Sequence, residues 1–270
     1  MNEEFRRERE ASIQGYRTDS ELQEASRRFL VESVRARYSY NFDWLGRPII
    51  QYPQDIVAVQ ELVWRVRPDL IIETGIAHGG SLVLSASLLA LLELCDAAEA
   101  ARVVDPRRPT RRVLGVDIDI RRHNREAIEA HPMRHRIDMI EGSSIDPAVV
   151  ARVREVAARH ERVMVFLDSN HTHEHVLAEL EAYADLTSQG SYCCVFDTVV
   201  DDLPEGGVTD RPWGRGNNPK TAAREFLRRL QTSARNGSDG RPLRFEPDRS
   251  LDDKLQVTVA PEGYLRRLPT

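Results

Sequence analysis

The chain has 270 residues, 41% hydrophobic and 30% charged, with a formal net charge of −5. That is enough apolar sequence for one large α/β domain or two small ones, and too acidic a balance for bulk attraction to nucleic acid. No run approaches the ~18 apolar residues of a membrane span, and the charged first ten residues hold no apolar signal core.

Residues 1–40 are polar, with helical spacing at Leu22, Ala25, Phe29, Leu30 and Val34. They predict one or two helices outside the main sheet, which cap the site, form a subunit contact or remain a solvated arm. Residues 38–53 mix aromatics with Gly46 and Pro48 and read as an ordered loop. An amphipathic helix at 55–66 ends at Arg67-Pro68. Strands are then predicted at 70–73, 113–117, 137–141, 163–168 and 191–197. Helices at 81–94, 124–130, 145–159 and 173–186 separate them, with a polar, Pro- and Arg-rich insertion at 97–112. A Gly/Pro-rich loop at 199–219 leads to a helix at 221–230, N-capped by Asn218 with Pro219 at its first position. Residues 236–240 form a flexible turn and 255–259 a last strand. This alternation implies an α/β fold with a doubly wound, mostly parallel, Rossmann-like sheet and an N-terminal helical extension. Residues 1–54 form the arm and loop, 55–270 the main domain. The neighbouring Cys193 and Cys194 lie in a strand pattern; the three cysteines have no disulfide or zinc spacing and point to a reducing cytoplasm.

The stretch Leu70-Ile71-Ile72-Glu73-Thr74-Gly75-Ile76-Ala77-His78-Gly79-Gly80-Ser81 reads as strand, glycine turn and helix start. That is the nucleoside-binding corner of a doubly wound sheet. Its glycines do not follow G-x-G-x-x-G and no Lys-Ser/Thr pair follows, so the dinucleotide and P-loop fingerprints fail. The acid Glu73 favours a cationic nucleoside such as S-adenosylmethionine. Glu73, Gly75, His78, Gly79 and Ser81 are the candidates around it; the alternative is a turn whose glycines serve close packing only. Asp117, ending the second core strand, is placed to accept both ribose hydroxyls. Asp119 reads as a capping or surface acid. Ser143 and Ser144 suit an adenine edge, or Ser144 is a helix N-cap.

Five core strands end in acids: Glu73, Asp117, Glu141, Asp168 and Asp197. In such a sheet these ends line one crevice. Asp168 and Asp197 are hard oxygen ligands suited to Mg²⁺, which keeps several waters; convergent cysteines that would favour zinc are missing from the pattern. His171, three residues after Asp168, suits a general base on a metal-bound hydroxyl. His173 and His175 read as helix-face residues. Arg211 and Trp213 either stack on and orient a polar substrate, or the Trp plugs the core.

Together, Ile72-Glu73-Thr74-Gly75, Gly79-Gly80-Ser81, Asp117-Ile118-Asp119-Ile120-Arg121, His123-Asn124-Arg125, His131-Pro132, Gly142-Ser143-Ser144, Leu167-Asp168-Ser169-Asn170-His171 and Phe196-Asp197-Thr198 resemble the cephalosporin hydroxylase / rhamnosyl O-methyltransferase family. The likeness runs from about Tyr52 to Pro261-Glu262-Gly263-Tyr264-Leu265. It implies a class I fold and an S-adenosylmethionine-dependent O-methyltransferase. It also implies Mg²⁺ assistance and an acceptor hydroxyl on a deoxysugar, such as rhamnose, of a glycosylated natural product. Related sugar methyltransferases carry an Asp-x-x-His base arrangement, which Asp168 and His171 match. Relatives can carry Glu-Asp where this chain has Phe196-Asp197, which leaves a third metal ligand to water, Asp201 or Asp202. The expected partners are a small-molecule glycoside and further copies of the chain, with neither nucleic acid nor membrane. Alternatives are a hydroxylase or methoxylation component acting on a cephalosporin-like β-lactam, and a non-catalytic nucleoside-binding partner protein.

Overall fold

The computed structural model describes residues 2–204 and 211–270, so the predicted loop at 199–219 falls partly outside the described residues. Helices α1 (Glu3–Tyr16) and α2 (Ser20–Arg35) open the chain. The stretch predicted as a loop contains a hairpin, β1 (Phe42–Trp44) and β2 (Arg47–Ile49), paired antiparallel through a turn with Gly46 at φ 82°. Then follow α3 (Pro53–Val66), β3 (Leu70–Thr74), α4 (Gly80–Glu99), β4 (Arg112–Asp117), α5 (Arg122–Glu129), β5 (Ile137–Glu141), α6 (Pro147–Ala157), β6 (Val163–Leu167), α7 (His173–Tyr183) and β7 (Tyr192–Val195). The chain ends with α8 (Pro219–Thr232), β8 (Phe245–Pro247), α9 (Arg249–Leu255) and β9 (Tyr264–Arg267).

The main sheet has the order β5-β4-β3-β6-β7-β9-β8. The five strands from β5 to β7 are parallel, and β9 runs antiparallel to both β7 and β8. Strand alternation divides the core into two layers. Ile71, Met164, Phe166 and Cys194 face α3 and α4; Leu70, Ile72, Val165 and Cys193 face α6, α7 and α8. The two adjacent thiols therefore point to opposite layers, as period-two geometry requires.

Three expectations need correction. Residues 255–259 are not a strand: α9 occupies 249–255, and the antiparallel strand is β9. Leu255, Val257 and Val259 alternate because all three are buried, but the Val259 amide and the Thr258 hydroxyl donate to the buried carboxylate of Asp55 in α3, not to a strand. The fifth parallel strand stops at Val195, and Phe196 belongs to the core, edge-on to Phe166 and Tyr264 at 5.8 and 6.3 Å. Finally, α4 runs on to Glu99, into the predicted insertion. Against the expectation that no run approaches a membrane span, it is the one helix among the described residues long and apolar enough to cross one, with 61% of its apolar window buried between the sheet and the hairpin.

Candidate active site

The strand order reverses at β3 and β6, and ligands of doubly wound sheets bind at the carboxyl ends beside such a reversal. The glycine turn after β3 and the loop after β6 meet there. A Cβ on Gly75, whose φ is 91°, would stand 2.1 Å from the Asp168 carbonyl oxygen, so only glycine permits this approach.

The turn is tied from beneath. Asp117 Oδ2 accepts from the amides of Ile76 (2.7 Å) and Ala77 (3.2 Å), and Oδ1 from Asp119 (3.1 Å). A carboxylate offers about four acceptor positions, so Asp117, with three of them taken by backbone amides, holds the turn and keeps about one for a ribose. Glu73 is not at the crevice surface: β3 continues through Thr74, and alternation places Glu73 under α4. It is 2% exposed, accepts the Ser81 hydroxyl and leaves Oε2 without a partner. Burial pushes its carboxyl up to about 7. His78 is half-buried in the turn, and Gly79, at φ 82°, packs on Ile128.

Ser143 is half-buried, while Ser144 is buried with its hydroxyl 3.0 Å from His175 Nε2. It is not the cap of α6; Asp146 is, accepting from the Ala148 and Val149 amides. His175 is no open helix-face residue either: its Nε2 also meets Ser169 Oγ (3.3 Å) and the buried Glu179 (3.6 Å). His173 is spoken for by Thr221 Oγ1 at 2.8 Å.

Asp168, His171 and Asp197 come together. One ligand atom from each lies within 4.8 Å of the other two. His171 Nε2 is 3.2 Å from Asp197 Oδ2. Asp197 sits just past β7 with φ 55°, a left-handed conformation that Asp tolerates better than most residues. Burial, then the charges of Asp197, Glu73 and Glu179, hold the Asp168 carboxyl well above its ordinary value. Among the described residues no Lys or Arg forms an ion pair with Asp168, Asp197 or Glu179. This concentration of uncompensated carboxylate suits a divalent cation, and the two carboxylate oxygens suit a hard ion that keeps its waters.

Glu141 does not join them; it pairs outward with Arg125 at 2.6 Å. Asp201 and Asp202 are not third ligands. Asp201 accepts from Gly216 N and Asn218 Nδ2, and Asp202 pairs with Lys220. These bonds fix the 214–218 segment, where Asn218 caps α8 as predicted. That segment brings Trp213 edge-on to His171, ring centres 4.8 Å apart, with the Arg211 guanidinium 5.3 Å from the indole centre. Trp213 thus borders the carboxylate–histidine cluster instead of plugging the core.

The family description Rhamnosyl O-methyltransferase/CmcI matches residues 36–268. The rhamnosyl O-methyltransferase of Mycobacterium tuberculosis (strain ATCC 25618 / H37Rv) is 26% identical over 215 residues, covering 79% of this chain and 73% of that protein. The rhamnosyl O-methyltransferase of Mycobacterium leprae (strain TN) is 25% identical over 225 residues, 83% of this chain and 82% of the relative. Among solved structures, CmcI-N160 in its apo form aligns with a TM-score of 0.54 at 18% identity, over 86% of this chain and 78% of that one. CmcI-D160 with Mg and S-adenosylmethionine aligns at 0.52 and 17%, over 85% and 78%. At these identities the two structures establish the fold.

Proposed function

The chain belongs to the Rhamnosyl O-methyltransferase/CmcI family, and from that membership we propose that it is an S-adenosylmethionine-dependent, Mg²⁺-assisted O-methyltransferase acting on a sugar hydroxyl of a glycosylated natural product. The observation that carries the reading is the meeting of Asp168, His171 and Asp197 at the switch point, bordered by Trp213.

The donor supplies an activated methyl, so the protein has to hold the acceptor hydroxyl in line and receive its proton. His171 takes that proton, and Asp197, 3.2 Å away, stabilises the imidazolium that forms. Asp168 and Asp197 would hold Mg²⁺, which lowers the pKa of a bound hydroxyl. Trp213 and Arg211 offer a stacking face and a cation to a polar sugar. Around the donor, Glu73 and Ser81 shape the base of the turn, and Asp117 fixes its amides. Gly75, His78, Gly79, Ser143 and Ser144 are the positions we assign to its rim.

The three cysteines are free, in keeping with a reducing cytoplasm. Exposed Val57 and Trp64 on α3, with Leu91 and Leu94 on α4, supply apolar surface for a homo-oligomeric contact. The compactness of the cluster also favours a second reading, in which His171 is a nitrogen ligand to the metal and not the base.

Methyl transfer from labelled S-adenosylmethionine to a panel of rhamnosides, with and without Mg²⁺, tests the reading. Label should pass to a sugar oxygen only when the metal is present. Donor binding with no transfer to any hydroxylated acceptor would favour the nucleoside-binding partner protein.

A further inference from the structure

We infer that Arg47, in the N-terminal hairpin, is a positioning residue for the donor-binding turn, acting together with Asn124 of α5. The inference rests on the donor reading above. Arg47 Nε and Nη2 both donate to the carbonyl of His78, at 3.0 and 2.5 Å. Its Nη2 also donates to Asn124 Oδ1 at 3.0 Å. Asn124, 4% exposed, turns its Nδ2 to the Ala77 carbonyl at 2.9 Å.

The two consecutive carbonyls of the turn are thus drawn to one side by Arg47 and Asn124, while the amides of Ile76 and Ala77 are held from the other by Asp117. Ala77 needs such restraint. Its φ is 45°, a left-handed conformation that is unfavourable for a residue with a Cβ. Strained backbone of this kind persists only where its surroundings over-determine it.

The hairpin is seated closely enough to do this. A Cβ on Gly80 would lie 2.2 Å from the Pro48 carbonyl oxygen, so the hairpin backbone rests directly on the first residue of α4. At the hairpin's other end, the Leu45 carbonyl lies 3.1 Å from His131 Nε2. Arg47 is therefore anchored on both sides, and its planar fork holds two acceptors in a fixed geometry that a lysine's single ammonium does not pre-organise. The hairpin belongs to the donor site although it precedes the first strand of the main sheet.

The test compares the wild type with Arg47→Ala, Arg47→Lys, Asn124→Ala and the Arg47→Ala/Asn124→Ala pair. It uses calorimetric titration with S-adenosylmethionine, melting without donor, and kcat and KM. Arg47→Ala should raise the donor Kd and KM about tenfold, the size of one charge-assisted hydrogen bond. Its kcat at saturating donor and its melting point should stay near wild type. Arg47→Lys should be intermediate, and the double variant should lose less than the product of the single losses, since both residues restrain one turn. Hydrogen exchange at 76–80 should quicken in Arg47→Ala while the parallel strands stay protected.

An unchanged Kd in folded Arg47→Ala and Asn124→Ala overturns the inference and leaves the donor reading standing. So does a Kd loss matched by an equal fall in donor-free stability, which marks a scaffold role only. If the wild type fails to bind S-adenosylmethionine, the donor reading fails and takes the inference with it.

Discussion

The imidazole of His171 meets the carboxylate of Asp197 at 3.2 Å, while Trp213 closes on the same ring edge-on at 4.8 Å. A carboxylate at that distance orients the ring. Removing the ring should therefore cost rate more than binding. We expect His171→Gln and His171→Ala to lower kcat by ~10²–10⁴-fold with donor affinity near wild type, and to remove the rise of rate with pH. Retained kcat with the same pH limb would exclude the base role. A loss of Mg²⁺ affinity alone would mark His171 as a ligand.

Metal binding should depend on Asp168 and Asp197 and should weaken in acid. The Asp168 carboxyl is held well above its ordinary value, so a proton competes with the ion for it. Mg²⁺ affinity should rise with pH, and Asp168→Asn or Asp197→Asn should abolish it. Full turnover after exhaustive chelation, with metal absent by elemental analysis, would refute the metal assignment.

Trp213→Ala should act on the acceptor, not the donor. Loss of the stacking face and of the Arg211 cation–π contact should raise the acceptor KM several-fold, in line with ~0.5–1 kcal/mol for an exposed pair. Arg211→Ala should do less. An acceptor KM unchanged in Trp213→Ala would remove the 211–213 segment from the substrate site.

Asp55 sets a pH dependence of stability away from the chemistry. It is fully buried and pushed from 3.8 up to about 6 by desolvation, against bonds from Thr258, Tyr264 and Val259. A raised carboxyl contributes stability that is complete below the unfolded pKa and lost as pH rises through the folded one. The wild type should therefore lose about 2–3 kcal/mol from this group between roughly pH 4 and 7. In Asp55→Asn the amide oxygen can face Val259 and the NH₂ the two hydroxyls, so this component should vanish from denaturant midpoints measured across that range. An identical slope in the variant would assign it to another group, such as Glu73.

The parallel centre of the fold is legible in the chain because strands buried on both faces are apolar runs. The C-terminal strands are not. Phe245-Glu246-Pro247 is three residues long, and β9 includes Arg267, a buried cation paired with Asp239 and the Thr187 carbonyl, which sequence reads as surface. The same limit governs the site. Asp168, His171 and Asp197 are found from strand ends and a three-residue spacing. Glu141 carries the same signature yet pairs with Arg125. Arg47 has no local signal at all, since its partners lie 31 and 77 residues away.

Cys193 and Cys194 are fully buried in opposite layers of the sheet, and burial holds both thiols well above their ordinary range. Neither reacts until its own layer opens, because the thiolate is the nucleophile and needs access. One peptide bond therefore joins two independent clocks. Timed alkylation followed by peptide mass analysis would read how often the α3–α4 side parts from the sheet at Cys194, and how often the α7–α8 side does at Cys193. The half-buried Cys95 on α4 provides the fast reference. If the donor tightens mainly the layer that holds the glycine turn, its addition should slow the Cys194 clock and leave the Cys193 clock running.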